Sequence, residues 1–170
     1  MKIAVFGCEL TGLVTAGALA YVGNDVMALP VGHVKVDDLK QGKLPREEPG
    51  LDALLAKQYQ DGRLIYEADW EKGLAHANVL ILSTPSWRLD RAEMLIELIG
   101  KTAKSDVVVV NQSTFPVGTA DRFEAKLKLA FAERNVKANA SVVAMPDFIS
   151  EGSAIDNFMR PDRIVLGSGD

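Results

Sequence analysis

Three stretches of this chain hold residues of a type and spacing that could do chemistry. The first is Gly7-Cys8-Glu9-Leu10-Thr11-Gly12. It follows the apolar run Lys2-Ile3-Ala4-Val5-Phe6 and precedes a small-residue stretch at 13–20, after which Asp25-Val26-Met27-Ala28-Leu29 reads as a second strand. Strand, glycine turn, helix and strand within about thirty residues is the unit that lays a pyrophosphate on a helix N-terminus. Gly7 can make the tight turn, and Gly12 can let the helix pack close to the strand. Between them, where the backbone must meet the phosphates, stands Glu9. A carboxylate there repels a diphosphate while the helix dipole favours it, so Glu9 is expected to cap the turn and occupy the anion site. A pyrophosphate site and a purely structural turn are both open readings of this loop.

An acidic residue should follow at the end of the second strand to hold the ribose hydroxyls. The chain has Leu29-Pro30-Val31 there, and Pro30 offers neither a carboxylate nor an amide donor. Lys35 and Lys40 are not placed to suggest a 2′-phosphate instead. Cys8, beside a helix N-terminus that would lower its pKa and a Glu9 that works the other way, is expected to be a small packing residue.

The second stretch, Gln112-Ser113-Thr114-Phe115-Pro116-Val117-Gly118-Thr119, follows the strongest strand pattern of the chain at 106–111. Ser113 and Thr114 therefore fall at a carboxyl strand end. The third, at 146–154, carries Asp147 and Glu151 and leads into Asn157-Phe158 and 160–167. Singly, each is explained by turn chemistry and helix caps. Together, hydroxyls and carboxylates at successive strand ends suit a site that holds water and contacts a sugar.

The elements that must position these residues alternate. Helices are expected at 34–41, Leu51–Gln60 (Leu51, Leu54 and Leu55 on one face), 70–75, 89–101 with Ser86 as its cap, and Thr119–Glu133. Strands are expected at Leu64–Tyr66, 79–83, 106–111, 141–144 and 163–167, with 146–161 irregular or partly helical. Continuously apolar central strands alternating with helices imply an α/β fold: a Rossmann-like, doubly wound, mostly parallel sheet with helices on both faces. Ligands then bind at the carboxyl ends of the strands.

Bulk properties exclude several classes. A chain of 170 residues with 48% hydrophobic and 25% charged residues fits one soluble domain. A net charge of −4 gives no reason to expect nucleic acid or an anionic membrane as partner. No run approaches the length of a membrane span, the start lacks a signal-peptide pattern, and a single cysteine fits a reducing cytoplasm, so a cytoplasmic location is expected. His33 and His76 lie apart with no ligand spacing around them, so no metal site is expected.

Residues 1–7, 12–15, 48–51, 113–119, 151–154 and 161–167, in that order, resemble the blocks of the UDP-glucose/GDP-mannose dehydrogenase family over its amino-terminal NAD-binding domain. The resemblance implies one Rossmann-like domain over 1–170, NAD as cofactor, and a two-step oxidation of a nucleotide sugar's C6 alcohol to a carboxylate. It implies cofactor contacts at Gly7, Cys8, Leu10, Thr11, Gly12, Ser83, Pro85, Ser86 and Ser113. Thr114 matches a threonine that positions the catalytic water, Glu151 a glutamate near the substrate, and Asp147 stands where the family usually has glutamate. The chain departs from the pattern at Glu9 (glycine in the family), Pro30 (aspartate), Ser86-Trp87 (Thr-Pro), Met145 (asparagine) and Ser150 (arginine). Glu9, Pro30 and Trp87 each oppose a dinucleotide, Trp87 by its bulk where ribose or nicotinamide would lie. The family's catalytic cysteine, lysine and asparagine come from later segments. The central helix and nucleotide-sugar domain are therefore expected to be absent here, the chain alone to be inactive, sugar binding to need those parts, and a homodimer to be the assembly. The alternative is a family-derived binding or regulatory domain that has lost ordinary NAD binding, or that takes a nucleotide without a diphosphate bridge.

Overall fold

The computed structural model describes residues 1–169; Asp170, part of the expected chain end, lies outside the described residues. The strands are β1 (Lys2–Phe6), β2 (Asp25–Leu29), β3 (Leu64–Tyr66), β4 (Val79–Leu82), β5 (Val107–Asn111) and β6 (Ala140–Ala144). They form one sheet in the order β3-β2-β1-β4-β5-β6, parallel throughout. The order reverses between β1 and β4, which is where a doubly wound sheet opens its crevice.

Alternation along the strands divides the core. Ala4 and Phe6 of β1 face one layer with Leu80 and Leu82, and Leu95, Ile96, Ile99, Phe123 and Leu127 close it from α5 (Leu89–Thr102) and α6 (Thr119–Glu133). Ile3 and Val5 face the other layer, closed by α1 (Leu10–Tyr21) and α3 (Leu51–Gln60) through Leu13, Val14, Leu51 and Leu55. Leu54 lies half-buried, and Gln58 takes the third buried position of α3. Short helices α2 (Val36–Lys40), α4 (Trp70–His76) and α7 (Ala154–Met159) complete the layers, α7 packing on α1. Both faces are covered over β1, β2 and β4, whereas Val108 of β5 stays exposed.

Two local expectations fail. Residues 163–167 do not form a strand: only Gly167 pairs, antiparallel, with Ala144, through bonds of 2.8 Å in each direction. Antiparallel extension from that pair would set Val165 against Pro146, which has no N–H to continue the ladder. Ile164, Val165 and Leu166 are left exposed. Ser86 does not cap α5 either. It begins a single 3₁₀ turn, Ser86–Arg88, and Arg88 precedes α5 without a side-chain cap. The Arg88 N–H bonds back to the Pro85 carbonyl at 2.8 Å, so the tight turn takes the place that an open cap would need.

Candidate functional site

Register places the site. Phe6, Leu29, Leu82, Asn111 and Ala144 lie side by side at the carboxyl edge. The ladder runs one residue further: Gly7 N–H donates to Leu29 O (2.8 Å), Ser83 to Phe6 O (2.8 Å), Gln112 to Leu82 O (2.9 Å) and Met145 to Asn111 O (2.8 Å). The three chemically equipped stretches thus leave from one edge, on either side of the reversal point.

In the first loop, steric space demands glycine twice. Gly7 has φ +126°, and a Cβ there would stand 1.8 Å from the Ser83 carbonyl oxygen. A Cβ on Gly12 would stand 2.0 Å from the Gly7 carbonyl oxygen. Glu9 does not do what its position suggests. It is the N-cap residue of α1 in extended conformation, but its side chain makes no capping hydrogen bond. Its Oε1 lies 3.8 Å from His33 Nδ1, across the loop that follows β2. Glutamate is one methylene longer than the aspartate or asparagine that reaches the N2 and N3 amides from this position. The first-turn N–H groups, at Leu10, Thr11 and Gly12, are therefore left without a side-chain cap. Cys8 is 2% exposed. Burial pushes its thiol far above the ordinary range, with Glu9 adding to the shift, so it is a packing residue as expected.

Pro30 does follow β2 where a carboxylate would serve, and its carbonyl is taken by Trp70 Nε1–H at 3.0 Å. Between this loop and the one after β4 lies a cleft of about 10 Å³, bounded by Gly7, Glu9, His33, Pro85, Trp87 and Arg88. Trp87 does not fill it. The side chain is 71% exposed and stands at the rim, while Arg88 is fixed by two bonds to Asp90 (3.0 and 3.1 Å).

The ends of β4 and β5 are tied to each other. Ser113 Oγ accepts the Thr84 N–H (2.9 Å) and lies 3.2 Å from Thr84 Oγ1, while the Ser113 N–H donates to Asn111 Oδ1 (3.1 Å). Ser113 is thus a joint between two loops. Ser83 is buried with its carbonyl against Gly7, Pro85 walls the cleft, and Ser86 is exposed on the 3₁₀ turn. Thr15 of α1 donates to buried Gln112 Oε1 at 3.1 Å. Thr114 is exposed.

After β6, Asp147 accepts the Ile149 N–H (3.4 Å) and borders a cavity of about 600 Å³ with Gln112, Met145, Phe148 and Phe158. Glu151 points elsewhere, into an ion pair with Arg46. Thr114, Asp147 and Glu151 share the sheet edge, but among the described residues no hydrogen bond or ion pair joins them. Glu48 is the residue sequence reasoning missed. It is 7% exposed, and its carboxylate accepts the N–H of Gly152 and of Ala154, both at 2.8 Å. The start of α7 is thereby pinned to a loop more than a hundred residues earlier. The motif at 48–51 marked a helix start, but nothing near it in sequence pointed to those amides. Among the described residues no group of three or more His, Cys, Asp or Glu could hold a metal, and no helix is long and apolar enough to cross a membrane.

Comparison with known proteins agrees with this geometry. The family described as UDP-glucose/GDP-mannose dehydrogenase family, NAD binding domain, matches residues 1–170. The UDP-glucose 6-dehydrogenase of Pseudomonas aeruginosa is 37% identical over 177 residues, covering 100% of this chain and 39% of that relative. That of Rhizobium meliloti is 38% identical over 175 residues, covering 98% and 39%. Among solved structures, a ternary complex of GDP-mannose dehydrogenase from P. aeruginosa superposes with a TM-score of 0.87 at 30% identity, covering 100% of this chain and 41% of that one. A UDP-glucose dehydrogenase from Pyrobaculum islandicum gives 0.85 at 29% identity. The chain spans about two fifths of the length of the relatives it matches. All these relatives are dehydrogenases, which favours the enzymatic reading over a domain turned to regulation.

Proposed function

The chain belongs to the UDP-glucose/GDP-mannose dehydrogenase family, and on that premise we propose that it is the NAD-binding part of a nucleotide-sugar dehydrogenase that oxidises a sugar C6 alcohol to the carboxylate. One observation carries this: at the sheet's reversal point Gly7 and Gly12 leave no room for side chains, and the first-turn amides of α1 have no side-chain cap. That cradle fits a pyrophosphate. Gly7–Gly12 would hold it, with Pro85 and Ser86 beside it and Ser83 and Ser113 fixing the loops that frame it. Two equivalents of NAD, held in turn by that cradle, would supply the hydride acceptor for the two oxidations. The Thr114 hydroxyl, exposed at the end of β5, would hold the water whose oxygen enters the carboxylate. Asp147 would orient the sugar hydroxyls from the cavity it borders, and Glu151 would join it on leaving its ion pair with Arg46. The buried, protonated Cys8 thiol supplies no nucleophile.

Isothermal titration of the 170-residue chain with NADH checks the cofactor. Saturable heat in the micromolar to millimolar range is expected, and no heat at millimolar ligand would overturn the proposal. UDP-glucose with NAD should give no turnover on this chain alone.

A further inference from the structure

The rim of the cleft carries one large aromatic side chain, Trp87. Trp87 is 71% exposed, and among the described residues no hydrogen bond holds its indole. Its ring contact is with the Arg88 guanidinium, 5.6 Å from the centroid. Tryptophan is highly buried on average, so such exposure is informative when it borders a crevice. Trp87 lines the cleft opposite Val31–Val34, the loop after β2, with Gly7, Cys8 and Glu9 between. In a doubly wound sheet the loop after the second strand faces the adenosine ribose, and β1 lies between β2 and β4 in this sheet, so Trp87 stands on the far side of the cleft from that loop.

Resting on the dinucleotide reading above, we propose that Trp87 is the adenine platform: its indole stacks on the base and supplies the grip that Pro30 does not supply at the ribose. At about 10 Å³ the cleft admits no base until the rim moves outward. The two neighbours differ in how freely they can do so. Arg88 is held by its two bonds to Asp90, while among the described residues the Trp87 indole gives up only its contact with the Arg88 guanidinium when it rotates. Exposed side chains change rotamer in picoseconds to nanoseconds, so opening at Trp87 is fast and cheap. A stacked base needs only a flat π-face at the right height, which suits a site lacking a ribose carboxylate.

The test is titration calorimetry on the wild type, Trp87→Ala and Trp87→Phe, with NADH, ADP-ribose and nicotinamide mononucleotide as probes. Loss of base stacking should weaken NADH and ADP-ribose binding to Trp87→Ala by roughly tenfold or more. Trp87→Phe should keep most of the affinity, and nicotinamide mononucleotide, which has no adenine, should bind all three alike. ADP-ribose should also quench tryptophan emission in the wild type and not in Trp87→Phe, where only Trp70 remains. Equal or tighter NADH binding by Trp87→Ala makes Trp87 a bystander or a plug and overturns the proposal while leaving NAD binding intact. Absence of NADH binding by the wild type removes the dinucleotide reading, and the platform with it.

Discussion

The loop after β1 and the segment after β6 leave the same edge of one sheet but are held by different physics. The first is shaped by backbone meeting backbone. Gly7 abuts Ser83 and Gly12 abuts Gly7, at distances where no side chain fits. The second is held by side chains: Glu48 from far away on the amides of Gly152 and Ala154, Arg46 on Glu151, and within the segment Asn157 Oδ1 on the Ser150 N–H (2.9 Å). A steric demand admits one residue type at one place. A hydrogen-bond demand can be met by several residue types from several directions. The loop after β1 therefore has glycine at the two positions where backbone meets backbone, with Glu9 between them.

Substitutions can break this contrast. The largest effect is expected from Gly7→Ala, which meets a backbone oxygen at 1.8 Å and a positive φ together. Strain and overpacking should cost about 4 kcal/mol or prevent folding, as urea unfolding would record. A variant within about 1 kcal/mol of wild type would contradict the steric account. Glu48→Gln comes next. Weakening two charge-assisted bonds at a buried site should cost about 2 kcal/mol. Amide exchange should accelerate at Gly152 and Ala154 while Gly7 and Leu13, bonded to Leu29 O and Glu9 O, stay protected; uniform acceleration would mean that the latch is not local.

Glu9→Gln probes the charge inside the steric loop. Removing a carboxylate beside the α1 N-terminus should tighten NADH by a few-fold, about 0.5–1 kcal/mol at low salt, with the gain shrinking as salt rises. A salt-independent change would point to shape rather than charge. The smallest effect is expected at Glu67, just past β3 on the same edge, where side chains do the holding but the partners are local. Its carboxyl is held down to about 2, first by the Lys72 hydrogen bond and then by the Asp69 N–H. A lowered pKa means the contribution to stability is full above the ordinary carboxylate value and is lost as pH falls toward about 2. In Lys72→Met the Glu67 titration, followed by NMR, should move up toward the ordinary range, and an unmoved titration would assign the shift to the backbone amides alone.

Much of the fold was legible because period and punctuation are local properties. The apolar run at 2–6, the β-branched run of β5 and the stripe Ala92, Leu95, Ile96 and Ile99 of α5 each carry their own pattern. The run at 163–167 misled for the same reason: its residues favour a strand, but Pro146 withholds the partner that a strand needs. The site was legible in its glycines and at its strand ends. Illegible were the direction of Glu9, which depends on His33 from the next loop, and the exposure of Trp87, which depends on a 3₁₀ turn after Pro85.

By itself, the sequence determined the order of elements, the parallel sheet and the two positions that must be glycine, because propensity, periodicity and the absence of a Cβ act within a few residues. Only the tertiary structure decided that Glu48 pins the start of α7, that Ser113 joins two loops instead of standing free, that Glu9 lies by His33, and that Trp87 stands exposed at the rim of the cleft. Each of those outcomes is a contact between segments far apart in sequence, and nothing in either segment alone fixes which partner the other will find.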